Sequence, residues 1–358
     1  MNKLSVCMIV KNEEKVLARC LKCVKKFADE IIVVDTGSKD RTKSIAKIYT
    51  NKVFDFEWKN DFALARNFAF EKATCEFVMW LDADDFVTDK DIKKILKLKE
   101  NLRADTYMLK YQIAFDELNQ CTFEYYRERI LRNNEMARFS GFVHEAIVPF
   151  GKIVFEDIAI EHRKPRENTN KKRNLNLYRY HIKNGEKLSA RETFYYAREL
   201  YFNDYYKKTL IILKRFLKMP NRFLPNIIDA HILISDCYLK FDDTLNAKKW
   251  LIKSFEYLPP NALISCKLGN LYVREKDYDS AIFWYKSALI SSKNLKSGAF
   301  IENDYYDFYP YLQLSFCHYN IGDYKNFVYY HNLAKKIKPY DKSIIHNQQF
   351  VDKLNIES

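Results

Sequence analysis

The chain of 358 residues is 47% hydrophobic and 30% charged, which supports folded cores, excludes a disordered or fibrous protein, and at this length predicts two domains. A formal charge of +13 would draw polyphosphates, nucleic acid or anionic lipid, but the lysines are scattered rather than gathered into an arm, which disfavours nucleic acid as a partner. No apolar run reaches the ~18 residues of a membrane span, and the opening LSVCMIV gives way at once to Lys11, Asn12, Glu13 and Glu14, unlike a secretory leader, so a cytoplasmic protein is expected.

Along the first part of the chain, short β-rich runs alternate with amphipathic helical stretches, the pattern of an α/β layered domain. LSVCMIV (4–10) reads as a strand, KVLARCLKCVKKF (15–27) as a helix, EIIVVD (30–35) as a strand and RTKSIAKIY (41–49) as a helix. KVFDF (52–56), DFALARNFAFEKA (61–73), EFVMWLD (76–82), DIKKILKLKENL (91–102) and TYMLKYQ (106–112) continue the alternation, and further strands are expected near 123–131, 143–149 and 153–160. Cys20 and Cys23, a lone CxxC among eight dispersed cysteines, fall inside the first helical run and read as buried structural thiols. A mostly parallel sheet follows from the order.

The second part lacks strand signals. With 26 Tyr and 26 Phe against Gly 7 and Pro 8, close helix packing is favoured over tight turns. Ser235, Tyr238, Ala247, Leu251 and Ser254 stand 34 residues before Gly269, Tyr272, Ala281, Tyr285 and Ala288, a period and a small–large alternation that match tetratricopeptide helix pairs. A third copy runs through Ser315, Phe327, His331, Ala334 and Pro339 after an insertion at 290–303, and a weaker one precedes them at 197–217. The expected organisation is an N-terminal α/β domain over 1–165, or extending to about 185, and a helical repeat domain over 186–358.

Ligands of open parallel sheets bind beyond the carboxyl ends of the strands. Here these ends carry Val10-Lys11-Asn12-Glu13, Asp35-Thr36-Gly37-Ser38 and Asp82-Ala83-Asp84-Asp85. Carboxylates spaced as in Asp82-Ala83-Asp84 can share a hard divalent cation bridging to phosphate oxygens. Capping of the next helix explains one acid of this cluster but not three; Asp85 either serves that cap or stands behind the metal. Asp35 precedes a sharp turn at Gly37 and could accept from a base ring NH.

In combination, MIVKNEE (8–14), VVDTGSKDRT (33–42), WKNDFALARN (58–67), WLDADD (80–85) and RFSGFVHEAI (138–147) resemble family 2 glycosyltransferases of the Rossmann-like GT-A fold. With RNLNL (173–177) and helical repeats behind them, the arrangement most resembles the subgroup with C-terminal tetratricopeptide repeats, which includes the sublancin-type peptide S-glycosyltransferases. The resemblance implies a UDP-sugar donor and Mn²⁺ or Mg²⁺. It makes Asp84 the metal ligand, with His162 a second candidate, and Asp82 and Ala83 contacts to the nucleotide sugar. Val10, Asn12 and Asp35 would hold base and ribose, Arg66 would reach the uracil edge or the phosphates, and Lys59 and Asp61 would shape the same wall. Many members place two acids before the Gly-Ser turn; Thr36 occupies the second position here, so one nucleoside contact is missing. Glu145, in FVHEAI, is the candidate general base, because displacement at an anomeric carbon needs a carboxylate to take the acceptor's proton. A single displacement inverts the configuration. Arg127, Arg129 and Arg132 could face diphosphate or acceptor, though one strand face would take only the first two.

The resulting expectation is an inverting transferase acting on a protein or peptide side chain, with the repeats assisting acceptor binding. Transfer to a cell-envelope glycan or lipid-linked sugar is the enzymatic alternative, compatible with peripheral contact between a basic surface and a membrane. A repeat scaffold with an inactive transferase domain is the non-enzymatic one. A homodimer through the repeats is left open.

Overall fold

The computed structural model of the protein describes residues 2–163 and 171–354; Lys164 and the break expected near 165 lie outside the described residues. The first strand, β1 (Leu4–Val10), is apolar almost throughout because both of its faces are covered. It is followed by α1 (Leu17–Val24), β2 (Glu30–Asp35), α2 (Thr42–Tyr49), β3 (Val53–Asp55), α3 (Phe62–Glu71), β4 (Phe77–Trp80), β5 (Asp85–Phe86) and α4 (Asp89–Lys99). Then come β6 (Thr106–Phe115), β7 (Cys121–Arg132), β8 (Phe139–Ser140), β9 (Ala146–Ile147), β10 (Ile153–His162), α5 (Arg173–Lys183) and α6 (Ala190–Phe202).

The main sheet runs β3-β2-β1-β4-β7-β6-β10-β5. Pairing is parallel from β3 through β4, with Cys7 opposite both Ile32 and Trp80. Beyond β4 it becomes mixed: β7 is antiparallel to β4 and β6, β10 is parallel to β6, and β5 is antiparallel to β10. The expected parallel half is therefore present, and the late strands turn the remainder into a mixed sheet. Alternate residues of β1 serve two cores. Val6, Met8 and Val10 pack with Leu17 and Leu21 of α1, and Cys7 packs with Ala69 and Phe70 of α3.

Leaving β1, the chain goes first to β2 and β3 on one side and then returns to β4 on the other. That reversal of strand order opens a crevice beyond the carboxyl ends of β1 and β4.

The chain divides into two units, Met1–Glu199 and Leu200–Ser358. Helix α5 and nearly all of α6 thus belong with the sheet, whereas the sequence places the division at 165 or about 185. The second unit contains α7 (Tyr206–Phe216), α8 (Leu224–Leu239), α9 (Thr244–Lys253), α10 (Ala262–Arg274), α11 (Tyr278–Leu289), α12 (Phe308–Asn320), α13 (Tyr324–Ile337) and α14 (Lys342–Lys353). The 34-residue spacing has a direct structural cause. In α9, α11 and α13 an aspartate caps the helix: Asp243 accepts from the Asn246 amide, Asp277 from Ser280 and Asp323 from Asn326. Before each cap one residue turns left-handed, namely Asp242, Lys276 or Gly322. Gly269 of α10 is small because the Tyr285 ring of α11 lies against it, 2.6 Å from where a Cβ would stand.

Candidate active site

Each acid of the WLDADD cluster has a different cation beside it. Asp82 Oδ1 accepts from Arg66 Nη2 at 2.7 Å, and the guanidinium groups of Arg66 and Arg129 pull its carboxyl well below the ordinary range in spite of burial, which acts the other way. Asp85 is fully buried and paired at 3.1 Å with the equally buried Arg129, whose guanidinium lies 3.7 Å from the Trp80 ring centre and 4.2 Å from that of Tyr111. Helix α4 is capped by Thr88, which accepts from the Asp91 amide, so Asp85 is not the cap: its Oδ2 pairs with Arg129 and its Oδ1 lies 3.4 Å from His162 Nδ1. Asp84 lies 3.3 Å from Nδ1 of His162.

Asp84, Asp85 and His162 bring ligand atoms within 4.8 Å of one another. Two hard carboxylate oxygens and an imidazole suit Mn²⁺ and also allow Mg²⁺. Burial pushes the His162 imidazole down, but hydrogen bonds to Asp84 and Asp85 overcome it and raise it to about 10. Positive charge between these acids is strongly favoured, and a divalent cation would supply it with release of that proton.

The candidate base is the second partner of Arg66. Glu145 Oε1 accepts from Arg66 Nε at 2.6 Å, so one buried guanidinium, flanked by the Trp80 and Phe139 rings, joins Asp82 to Glu145. Arg66 is in place because it falls mid-way along α3, whose Ala63, Ala65 and Ala69 are small enough to pack closely on the sheet. Arg127 secures the same loop through its backbone, donating from Nη2 to the Glu145 carbonyl at 3.2 Å and pairing with Glu128.

On the nucleoside side, Asp35 Oδ1 accepts from the Gly37 and Ser38 amides, both at 2.9 Å, which fixes the turn that Gly37 makes at φ +100°. Its Oδ2 is buried and has no hydrogen-bond partner among the described residues. Asn12 Oδ1 accepts from the Lys39 amide at 2.8 Å, tying the end of β1 to the same turn. Thr36, at the position of the missing acid, donates from Oγ1 to the Val10 carbonyl at 3.1 Å.

A cleft of about 350 Å³ opens here. Val10, Arg66, Asp82, Ala83, Asp84, Glu145 and His162 of the sequence-selected set line it. Asn12 and Asp35 act through the turn behind it, Asp61 caps α3 by accepting from the Leu64 amide, and Lys59 is exposed; none of these four is part of the lining. Of the three arginines of β7, Arg127 lines the cleft, Arg129 is buried beneath it, and Arg132 pairs with Glu76 and Asp105 instead. Trp58, Trp80, Tyr111, Arg173 and Asn174 also line the cleft and were not singled out from the sequence as site residues. For Arg173 and Asn174 the signal was the RNLNL segment, whose place in the fold no periodicity reveals.

Residues 5–162 match the model of glycosyl transferase family 2. A TPR repeat-containing protein of Synechococcus elongatus is 36% identical over 151 residues, covering 41% of this chain and 36% of that protein. The SPbeta prophage-derived glycosyltransferase SunS of Bacillus subtilis is 29% identical over 262 residues, covering 68% of this chain and 60% of that protein. This chain therefore spans less than two thirds of the length of either relative. Among solved structures, S. aureus TarS 1-349 in complex with UDP-GlcNAc aligns at 18% identity and a TM-score of 0.36, covering 80% of this chain and 91% of that one. The match spans the strands whose ends line the cleft, and residues 5–162 constitute a family 2 glycosyltransferase domain.

Proposed function

We propose that the protein is an inverting, metal-dependent glycosyltransferase that moves a sugar from a UDP-sugar to a protein or peptide side chain, with the helical repeats assisting acceptor binding. The observation that carries this reading is the meeting of Asp82, Asp84, His162 and Glu145 around one cleft. The family supports a UDP-sugar donor, and the donor set of Asp84, Asp85 and His162 supports Mn²⁺ or Mg²⁺. The peptide acceptor follows from the resemblance to repeat-bearing peptide S-glycosyltransferases.

When bound, the metal would neutralise charge on the diphosphate. The protein's own groups do the rest. The turn at Gly37, fixed by Asp35, receives the base, and Asp82, held by Arg66, faces the nucleotide sugar. Glu145, held in place by Arg66, takes the proton of the acceptor atom as that atom's lone pair forms a bond to the anomeric carbon. The bond from that carbon to the diphosphate oxygen breaks with its electron pair leaving on UDP, and attack from the opposite side inverts the centre.

The test is mass spectrometry of candidate peptides, and separately of envelope glycans and lipid-linked sugars, after incubation with a panel of UDP-sugars and Mn²⁺. A mass gain of one sugar on a peptide supports the reading. A gain confined to the glycan or lipid fraction replaces the acceptor class, and failure to bind UDP at all would leave the repeat scaffold as the function.

A further inference from the structure

The loop carrying Glu145 is held by residues that lie beyond the family match. His144 has a left-handed backbone, φ +54°, a conformation that a residue with a bulky side chain keeps only when its surroundings impose it. Those surroundings are the facing sides of α5 and α6. His144 Nε2 lies 2.8 Å from Glu199 Oε1, its ring stacks on Tyr195 with centres 4.5 Å apart, and its carbonyl accepts from Arg191 Nη2 at 3.0 Å. The same Glu199 oxygen accepts from Asn174 Nδ2 at 3.1 Å, and Asn174 lines the cleft. Glu199 is buried. A carboxylate in that position costs stability unless it is paired, so packing alone does not account for it. The neighbouring loop is held in a similar way: His181 of α5 hydrogen-bonds the carbonyl of left-handed Asn60 at 2.9 Å and stacks on Phe142 at 3.8 Å.

We infer that Glu199 is a positioning residue for sugar transfer: by holding His144 it fixes the backbone that aims Glu145 at the acceptor proton, and the catalytic unit extends through α6. The inference rests on Glu145 being the base.

The experiment compares Glu199→Ala, Glu199→Gln and His144→Asn in the full chain. UDP binding with Mn²⁺ is measured by calorimetry, and turnover of UDP-glucose and UDP-N-acetylglucosamine is measured with water as acceptor. In Glu199→Ala and His144→Asn, kcat falls about tenfold or more, since small misplacements of a reacting group carry penalties of that size. The donor KM and UDP affinity stay within about twofold, the pattern of a group acting only in the transition state. Glu199→Gln, which still accepts a hydrogen bond from His144, recovers most of the rate. Asparagine tolerates a left-handed backbone, so His144→Asn decides the matter if Glu199→Ala does not fold. An unchanged kcat in both, or a parallel loss of kcat and UDP affinity, overturns the inference while leaving the donor site intact as a reading. A wild-type chain that binds no UDP, or binds it without turnover, removes the reading beneath it as well.

Discussion

At the scale of single residues, charge pairing at the end of β4 separates two kinds of acid. Asp85 and Arg129 are both fully buried and face each other, so their pairing concerns the fold. Removing one partner strands the other in a low-dielectric interior, and Asp85→Asn should lower unfolding free energy by about 3–5 kcal/mol in urea titrations. In the proposed function Asp84 and Glu145 concern chemistry: Asp84→Asn should abolish metal-dependent binding, and Glu145→Gln should abolish turnover while UDP still binds. A fourth acid, Glu30, makes stability depend on pH. Burial would push the Glu30 carboxyl up, but the Lys52 ammonium, the Ser5 hydroxyl and the Thr74 amide and hydroxyl overcome it and bring it to about 2. A carboxyl lowered in the folded state stabilises above its unfolded value near 4.5 and loses that contribution as pH falls toward 2. Acid unfolding should therefore steepen across that window, and Glu30→Gln should flatten it. The DxD spacing and the ALARN segment were legible because their residues are neighbours in sequence. The Arg129 partner of Asp85 was not, because nothing local to β7 says which of its arginines turns inward beneath Trp80.

At the scale of elements, the strands and helices of the first half follow their hydrophobic periods, and β1 and β2 span the residues expected of them. The later strands were less legible. The run expected at 143–149 is largely a loop held by Arg127, with only Ala146–Ile147 as strand. In the second unit each repeat depends on close contact between small and large residues. Gly269→Ala would place a Cβ 2.6 Å from the ring of Tyr285, whose hydroxyl is held by Asn270 at 2.6 Å. The ring cannot swing aside freely, so overpacking should cost about 1–3 kcal/mol, read as a lower midpoint in chemical unfolding.

At the scale of the whole molecule, the boundary matters most. Helices α5 and α6 carry the same amphipathic pattern as the repeats, and a helical period does not say which core a helix joins. That is why the sequence places them near or within the repeat domain, although His181, Arg191 and Glu199 bind loops of the transferase unit. No described helix is long and apolar enough to cross a membrane. If the repeats hold the acceptor, a chain ending after α6, at residue 202, should keep UDP binding and lose modification of the acceptor, whereas one ending at 165 should lose both.

The central claim is that the acids beyond β4 hold a metal and a nucleotide diphosphate together. Calorimetry of UDP binding with and without Mn²⁺ tests it most directly, on the wild-type chain, Asp84→Asn and Glu145→Gln. Mn²⁺-dependent binding should appear in the wild type, vanish in Asp84→Asn and persist in Glu145→Gln. UDP binding that ignores Mn²⁺ and survives Asp84→Asn would contradict it.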